Sequence, residues 1–291
     1  MHHTWLRSFH AVAREGGFTK GANAIGVGQP TVTAQVKSLE GAFDVELFHR
    51  AGKSAQLTDT GETLYGITRT LFGYQQEAID FLRNTGQSGR RKLRIGAANP
   101  NGIMPLIKAL RDQLPSFELS VTIEQREEIL RRLLDFEIDV AAIGRPPDDP
   151  KFATVFYRKL RVDVVVAEDH PWGERQDIRI AELDGQPMIL RETESTTRQT
   201  FEAAARKAGI NIRTEMEINN REAIREAVVL GLGLSVGAEI EFGSHRSLRW
   251  LPVRDAEMFI ELNLTCLSQR RDRPTIKRFF EIATETQNVK D

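Results

Sequence analysis

The sequence predicts an N-terminal winged helix-turn-helix, a long connecting helix, and a C-terminal α/β domain of two lobes. Three observations lead to this prediction. Short helical segments separated by glycine turns fill the first 43 residues, and a regular apolar heptad follows between residues 64 and 81. From residue 91 onward, strand-like and helical segments alternate. The length of 291 residues suits two domains better than one.

The first 43 residues contain three predicted helices with very short breaks. The first helix has one apolar face and ends at Gly16-Gly17. Thr19 can cap the second helix, which covers residues 20–25. The third helix opens at Gln29-Pro30, after a Gly26-Val27-Gly28 turn. A glycine turn before the third of three short helices is typical of a helix-turn-helix.

A β-hairpin wing is predicted directly after the third helix. Residues 45–48 and 55–57 are two short strand-like pieces, and the connection between them is polar, basic and contains glycine. Arg50 and Lys53 would place positive charge at its tip. An ordinary surface hairpin is the alternative explanation of the same residues.

A long helix that begins near Thr58 carries an apolar seam. Its apolar residues are spaced three and four positions apart, as in a coiled-coil heptad. They are Leu64, Ile67, Leu71, Tyr74, Ala78 and Phe81. A helix that packs only on its own domain is the alternative, but a seam this regular favours a partner. The pattern therefore predicts a homodimer or homotetramer formed through this helix, with a flexible linker at residues 84–89.

The alternating segments beyond residue 91 predict an α/β domain with a mostly parallel sheet. The predicted strands are 93–97, 119–123, 139–143, 162–167, 188–190, 213–218, 234–236 and 261–267. The predicted domains are the winged helix-turn-helix at 1–60, the linker and dimerisation helix at 61–90, and the α/β domain at 91–291. Lobe I of this last domain would comprise about 91–161 and 267–291, and lobe II about 162–266. Ligands in such folds bind where strands end and helices begin.

Six blocks in the first 61 residues form a pattern that resembles a known family. They are Phe9-His10-Ala11-Val12-Ala13, Gly17-Phe18-Thr19-Lys20-Gly21-Ala22-Asn23, Gln29-Pro30-Thr31-Val32-Thr33, Leu39-Glu40, Leu47-Phe48-His49-Arg50 and Leu57-Thr58-Asp59-Thr60-Gly61. Their ungapped spacing resembles that of the LysR-type transcriptional regulators. Gly21, where that family usually has alanine, is a mild departure, and so is the segment 42–44. Residues 91–291 resemble the family's effector domain, which implies two lobes of the periplasmic-binding-protein type around a cleft.

The third helix would then be the recognition helix that enters the major groove of DNA. An N-terminal glutamine can pair with an adenine edge, and a threonine can meet a base edge or a thymine methyl group. Lysine and arginine suit phosphates, which fix the register without reading the sequence. Helix capping and solvation are the alternative roles of the threonines. The candidate DNA-binding residues are Gln29, Pro30, Thr31, Thr33, Gln35, Lys37, Arg50 and Lys53.

The second half also resembles a subgroup associated with aminoethylphosphonate catabolism. That likeness rests on His170-Pro171-Trp172, Leu190-Arg191-Glu192, Ser195-Thr196-Thr197-Arg198 and 221–228, with Glu194 as a departure. Independently, Ser195–Arg198 opens a helix after a strand, so its hydroxyl and N–H groups could hold an anion. A simple helix cap is the alternative. The candidate effector-binding residues are Asn99, Asn101, Gly102, Arg145, Ser195, Thr196, Thr197, Arg198 and Glu217, with Glu217 or Glu194 meeting an ammonium group.

Together these features predict a ligand-responsive, sequence-specific DNA-binding transcriptional regulator. The expected effector is a small anionic metabolite, either a phosphonate such as 2-aminoethylphosphonate or a carboxylate. The expected macromolecular partners are double-stranded DNA, a second copy of the chain and RNA polymerase. An enzyme with a DNA-binding head and a constitutive architectural DNA binder are the two alternatives.

Two sequence segments match catalytic motifs only in part, because the structural elements or residues that each motif requires are missing. Gly233-Leu234-Ser235-Val236-Gly237 fits the G-x-S-x-G pattern, but a helix precedes it where a nucleophile elbow needs a strand. Gly52-Lys53-Ser54 lacks the first glycine of a phosphate-binding loop. No catalytic residue, cofactor or metal site is therefore predicted. One cysteine, no apolar run of membrane length and no secretory pattern lead us to expect a cytoplasmic protein, and the net charge of −1 decides nothing about DNA.

Overall fold

The computed structural model describes residues 2–49, 55–85, 91–242 and 245–287. The chain divides into two compact units: 1–90 with 134–136, and 91–133 with 137–291. Over the described ranges, no helix combines the length and the apolar character that a membrane span needs.

The first unit is built on four helices, as the sequence predicts. They are α1 (His2–Glu15), α2 (Phe18–Ile25), α3 (Gln29–Phe43) and α4 (Asp59–Thr85). The predicted N-cap Thr19 is wrong, because α2 begins at Phe18 after the N-cap residue Gly17 and Thr19 lies inside the first turn. Gly26 ends α2 in the left-handed conformation, with φ of 69°, which allows the tight turn into α3. Gly21 has a packing role, because a Cβ atom there would lie 2.8 Å from the Val12 backbone. The departure from the family's usual alanine at this position therefore matches a close approach of α1 and α2.

Only the base of the predicted wing lies within the described residues. Phe48 and Leu57 form a single antiparallel bridge, and the His49 amide donates to the Gln56 carbonyl at 2.9 Å. The predicted cationic tip, with Arg50 and Lys53, lies outside the described residues. Thr58 then begins α4, since its Oγ1 accepts from the Gly61 amide at 3.0 Å.

Within the described residues, the apolar seam of α4 is largely exposed to solvent, although the Tyr74 ring lies 6.2 Å from the ring of Phe136. Leu64 packs against the helix-turn-helix core. By contrast Ile67, Leu71, Tyr74 and Phe81 are between 42% and 67% exposed. Four large apolar side chains in a heptad pattern on one helix are the arrangement that a paired helix would bury.

The second unit begins with a five-stranded sheet in the order β2-β1-β3-β10-β4. Its strands are β1 (Lys92–Ala97), β2 (Glu118–Ile123), β3 (Val140–Ile143), β4 (Phe152–Arg161) and β10 (Phe259–Leu267). The first three are parallel, and β10 runs antiparallel to both β3 and β4. The helices of this lobe are α5 (Pro100–Gln113), α6 (Arg126–Leu134) and α10 (Pro274–Gln287).

The second lobe contains two small sheets. One has the order β8-β5-β9, with β5 (Asp163–Ala167), β8 (Ser235–Gly237) and β9 (Leu248–Leu251) all antiparallel. The other pairs β6 (Pro187–Leu190) with β7 (Arg213–Glu217) in parallel. Its helices are α7 (Thr196–Ala208), α8 (Arg221–Val229) and the short α9 (Glu239–Phe242).

Three sequence expectations for this unit need correction. Strands β4 and β9 were not predicted, and the second lobe is not mostly parallel, because β5 pairs antiparallel on both edges. Residues 259–266, assigned to lobe II from the sequence, lie in β10 of the first sheet. The chain crosses back to the first lobe before β10, so the predicted lobe boundary near 266 is too late. The boundaries 1–60, 61–90 and 91–291 stay predictions.

Candidate functional site

Helix α3 presents a polar N-terminal surface in the first unit. Gln29, Pro30, Thr31 and Lys37 are exposed, and the apolar side of the same helix is buried. Gln29 Nε2 donates to Thr33 Oγ1 at 3.0 Å, one turn further along. This contact holds the glutamine amide over the start of the helix, where a base edge would meet it in a major groove.

One predicted contact residue of α3 has a packing role. Gln35 is half-buried, and its Oε1 accepts a hydrogen bond from Ser8 of α1 at 2.5 Å. Its side chain therefore ties α3 to α1. The sequence could not indicate this, since the direction of Gln35 depends on how the two helices pack.

Two polar residues near α3 were not predicted as candidates. Lys20 and His49 are exposed and line a concave surface together with Thr33 and Lys37. Lys20 lies in the first turn of α2, next to the helix that carries Lys37. Two lysines on the edges of one concave face suit contacts to phosphates on a DNA backbone.

A cleft lies between the sheets of the second unit, where strand ends and helix starts converge. Its cavity volume is about 80 Å³, which gives room for a small metabolite. The residues come from both lobes. They are Ala98, Asn99, Gly102, Gln125, Arg126, Glu127, Gly144, Leu160, Arg191, Glu192, Glu194, Ser195, Thr196, Thr197, Arg221, Ile260, Glu261 and Leu262.

The N-terminus of α7 contributes hydroxyl groups to this cleft. Ser195 is the N-cap residue by position, yet its side chain makes no capping hydrogen bond. It is 8% exposed, and its hydroxyl has no hydrogen-bond partner within the described part of the chain. Thr196 and Thr197 follow it into the first turn. A hydroxyl that is not used as a cap and lines the cleft is available to a ligand.

Arg191 adds a donor to the same wall of the cleft. Its Nε and Nη2 donate to the Glu192 carboxylate at 2.7 and 2.5 Å. Its Nη1 is buried and has no hydrogen-bond partner among the residues that the structure describes. Burial alone would raise the pKa of Glu192, but the Arg191 hydrogen bonds and nearby positive charge, including that of Arg221, outweigh it and lower the pKa. Glu192 therefore stays ionised beside the guanidinium.

The opposite wall is formed by the start of α5 and by a bridge from α8. Asn99 caps α5, with its Oδ1 accepting from the Gly102 amide at 3.1 Å. Arg221 Nη1 donates to the Ala98 carbonyl at 3.2 Å and so connects the lobes. The side chain of Asn101 lies outside the described residues. Arg191, Arg221 and Arg126 were missed because each needs the packed lobes to bring it to the cleft.

Two predicted ligand residues are occupied with each other outside the lining. Arg198 donates to Glu217 at 2.6 Å, to Glu202 at 2.7 Å and to the Arg191 carbonyl at 2.6 Å. Its guanidinium therefore braces α7 against neighbouring segments. Glu217 is paired in the same contact, so the structure does not bring it to the cleft as a partner for an ammonium group.

Arg145 lies beside the cleft and links it to α7. It adopts the left-handed conformation with φ of 46°, although it has a side chain. Its Nη1 donates to Gln199 Oε1, and its carbonyl accepts from Arg126 Nη2 at 2.9 Å. The neighbouring Gly144 lines the cleft, whereas Arg145 is not among the lining residues and its guanidinium is bound to Gln199 of α7.

Groups associated with catalysis have structural roles. Ser235 is 1% exposed and its Oγ donates to the Ile189 carbonyl at 2.7 Å, which fixes the hydroxyl in the core. Burial raises the pKa of the Cys266 thiol to about 11, so this thiol stays protonated at neutral pH. In the described ranges, no group of three or more metal-binding side chains lies together.

The chain matches two family models that together cover most of its length. Residues 3–62 match "Bacterial regulatory helix-turn-helix protein, lysR family". Residues 86–288 match "LysR substrate binding domain". A similar relative is the "RuBisCO operon transcriptional regulator" of Allochromatium vinosum, 30% identical over 92% of this chain and 89% of that protein.

Solved structures of similar fold include full-length OxyR from Pseudomonas aeruginosa, with a TM-score of 0.72 and 22% identity over 99% of this chain and 95% of that one. Another is the Synechocystis CcmR regulatory domain in complex with 2-PG, with a TM-score of 0.60 and 21% identity over 67% of this chain and 97% of that one. The fold prediction is confirmed by these neighbours. With both of its domains matched and its relatives acting as regulators rather than enzymes, the chain belongs to the LysR family of ligand-responsive, DNA-binding transcriptional regulators.

Proposed function

We propose that this regulator responds to a small anionic metabolite held in the cleft of its second unit. The observation that carries the proposal is the hydroxyl of the buried residue Ser195, which has no partner among the described residues and lines the cleft at the start of α7. Backbone N–H groups at a helix N-terminus favour an anion in the same place. Arg191 lines the same wall, and its ion pair with Glu192 lies beside these groups.

The effector would act by shifting the population of two arrangements of the lobes. A ligand that touches both walls binds the closed cleft more tightly than the open one, so it favours closure. In an oligomer, that change would alter the spacing or angle of paired DNA-binding heads and hence the bend of the DNA they bind. RNA polymerase remains a predicted partner.

The phosphonate prediction finds no support among the relatives described above. The predicted ammonium partner Glu217 is paired with Arg198 at 2.6 Å outside the cleft lining. The CcmR neighbour, whose regulatory domain was solved with 2-PG, supports a small metabolite as the kind of molecule this fold holds. The chemistry of the anion seat alone suits a carboxylate or another small oxyanion.

Replacing the two hydroxyls at the start of α7 should abolish the response to the effector. We expect the variant with Ser195→Ala and Thr196→Val to lose ligand binding, because two donors to the anion disappear while the shape is kept. Thermal unfolding of the parent with 2-PG, acetate, glycolate and phosphate is the measurement. A true ligand at about 100 Kd should stabilise the parent by about 2.7 kcal/mol and leave the variant unshifted.

Thr200→Val provides the matched control on the same helix. Thr200 Oγ1 donates to the Thr196 carbonyl at 2.8 Å and does not line the cleft. This variant should respond like the parent. If the Ser195 and Thr196 variant were stabilised as strongly as the parent, the anion seat would lie elsewhere.

Helix α3 should provide the sequence-specific part of DNA binding. We expect Gln29→Ala to weaken binding to the operator by about 1–3 kcal/mol and to leave binding to unrelated DNA nearly unchanged. Lys37→Ala, its comparison variant, should weaken both and reduce the salt dependence by about one unit of slope. Fluorescence anisotropy over a salt series measures both. A Gln29→Ala variant with parental operator affinity would remove this residue from the base contacts.

A further inference from the structure

The cleft carries both positive and negative side chains, which is an unusual lining for a site that holds only an anion. Its lining includes three arginines and four glutamates. The arginines are Arg126, Arg191 and Arg221, and the glutamates are Glu127, Glu192, Glu194 and Glu261. The lining therefore has one more negative than positive formal charge. Which of these side chains form ion pairs with each other decides which charges remain for a ligand.

Two of the positive charges are already neutralised by neighbouring carboxylates. Arg126 Nη1 lies 3.0 Å from Glu127 Oε1, and Arg191 Nη2 lies 2.5 Å from Glu192 Oε1. Arg191 therefore presents little uncompensated charge to the cleft. A ligand there meets no pair of free cations that would balance a dianion.

Two negative charges in the lining remain without an ion pair. Neither Glu194 nor Glu261 forms a salt bridge within the described ranges. Lys159 is the cross-strand neighbour of Glu261, but its ammonium group lies over the Phe259 ring, 4.2 Å from the centroid. Both residues are exposed, so the cleft presents two solvated carboxylates that a positively charged group of a ligand can reach.

Strand β10 and the start of α7 come close to each other beside Gly144 in the cleft. A Cβ atom added to Gly144 would lie 3.3 Å from Thr196 Oγ1 and 3.3 Å from the Glu261 carbonyl oxygen. The main-chain carbonyl oxygen of Glu261, an acceptor for an ammonium group, thus lies close to the first turn of α7 in the second lobe. A molecule of a few heavy atoms placed beside Gly144 can reach both.

We infer that the effector is a small zwitterion, with an anionic group at the start of α7 and an ammonium group met by Glu261 and Glu194. This inference rests on the proposed function and specifies its ligand class. The unpartnered hydroxyl of the buried residue Ser195 marks the anionic end. The unpaired carboxylates mark the cationic end, and they select against a dianion of the same size by like-charge repulsion.

Matched pairs of compounds test this inference on the full-length protein. The pairs are glycine with acetate, β-alanine with propionate, and taurine with ethanesulfonate, in which one member has an ammonium group and the other lacks it. Calorimetric titration should give the ammonium-bearing member of at least one pair a Kd lower by about tenfold or more. Inorganic phosphate, a multiply charged anion, should bind more weakly than that zwitterion.

Two variants identify the groups responsible. Glu261→Gln should reduce the preference for the ammonium-bearing member, while the matched variant Glu281→Gln, on α10 and outside the cleft, should keep it. The Ser195→Ala and Thr196→Val variant should lose both members of the pair.

The outcomes separate the inference from the proposal beneath it. If ammonium-free members bind as well as their partners, and binding still needs Ser195 and Thr196, the anion seat stands and the zwitterion inference is wrong. The zwitterion inference is also wrong if Glu261→Gln leaves the preference unchanged. If none of the compounds binds, or if binding is independent of Ser195 and Thr196, both the inference and the proposed seat are wrong.

Discussion

Asp139→Ala should lower the free energy of unfolding of the second unit by about 3–5 kcal/mol, the cost typical of removing one partner from a buried ion pair. The Asp139 carboxylate accepts from the Arg94 amide at 2.8 Å, from Arg94 Nε at 3.1 Å and from Arg94 Nη2 at 2.9 Å. It also accepts from Arg270 Nη2 at 2.6 Å. Without it, two guanidinium groups face each other, and the Arg270 side chain is only 2% exposed.

Urea unfolding followed by the fluorescence of Trp172 and Trp250, both in the second unit, measures this loss. Asp112→Ala is the matched control, because Asp112 pairs with Lys108 on the surface, where the two side chains are 60% and 78% exposed. An exposed pair of this kind contributes at most about 1 kcal/mol. Equal losses in the two variants would contradict the importance of the buried arrangement.

The same carboxylate gives the parent a defined pH dependence. Burial alone would raise the pKa of Asp139, but the hydrogen bonds and charges of Arg94 and Arg270 outweigh it and hold the pKa below its ordinary value of 3.8. The folded state therefore binds this proton less tightly than the unfolded state. The stabilisation is complete above the ordinary pKa and is lost as the pH falls through the lowered one. The difference between parent and Asp139→Ala should be constant near neutral pH and should narrow below about pH 4.

The elements that the sequence predicted best are those whose burial pattern is strong along the chain. Strand β3 is buried at all four positions and β1 at four of its six positions, and their apolar runs stand out from the surrounding segments. Strand β4 was missed because it is an edge strand on which only Tyr157 is buried, and its other positions are charged or partly exposed. Strand β9 has four residues and exists through its pairing with β5, a long-range contact that no local pattern indicates.

In the candidate site, too, the features set by local sequence could be predicted, and those set by long-range packing could not. The start of α7 was predictable, because a strand followed by Ser195 and Thr196 determines a helix N-terminus locally. The roles of long side chains were not. Arg198 was predicted as a ligand residue, but Glu202 and Glu217 draw its guanidinium away from the cleft lining. Arg191 was overlooked as a donor because its free Nη1 depends on Glu192 occupying the other two nitrogens.

Leu71→Asp should separate the oligomer and so weaken DNA binding more than any single contact residue does. Leu71 is 42% exposed in the single chain and lies at the middle of the apolar seam on α4. An aspartate there can be solvated in a monomer, so the fold of the subunit should tolerate it. Between two paired helices it would be a buried, unpaired charge, which costs several kcal/mol and opposes association.

Two linked DNA-binding heads gain affinity through the high local concentration of the second head, by about 10²- to 10⁴-fold over one head alone. Leu71→Asp should therefore lower the DNA affinity by a factor of that order. Sedimentation velocity should show a smaller species. Gln76→Asp is the control, since it introduces the same charge on the exposed side of α4 opposite the seam, where Gln76 contacts Asp80 at 2.9 Å. That variant should keep both the oligomer and the DNA affinity. A Leu71→Asp protein that sediments like the parent would show that this seam does not hold the subunits together, and the predicted role of α4 would then have to be given up.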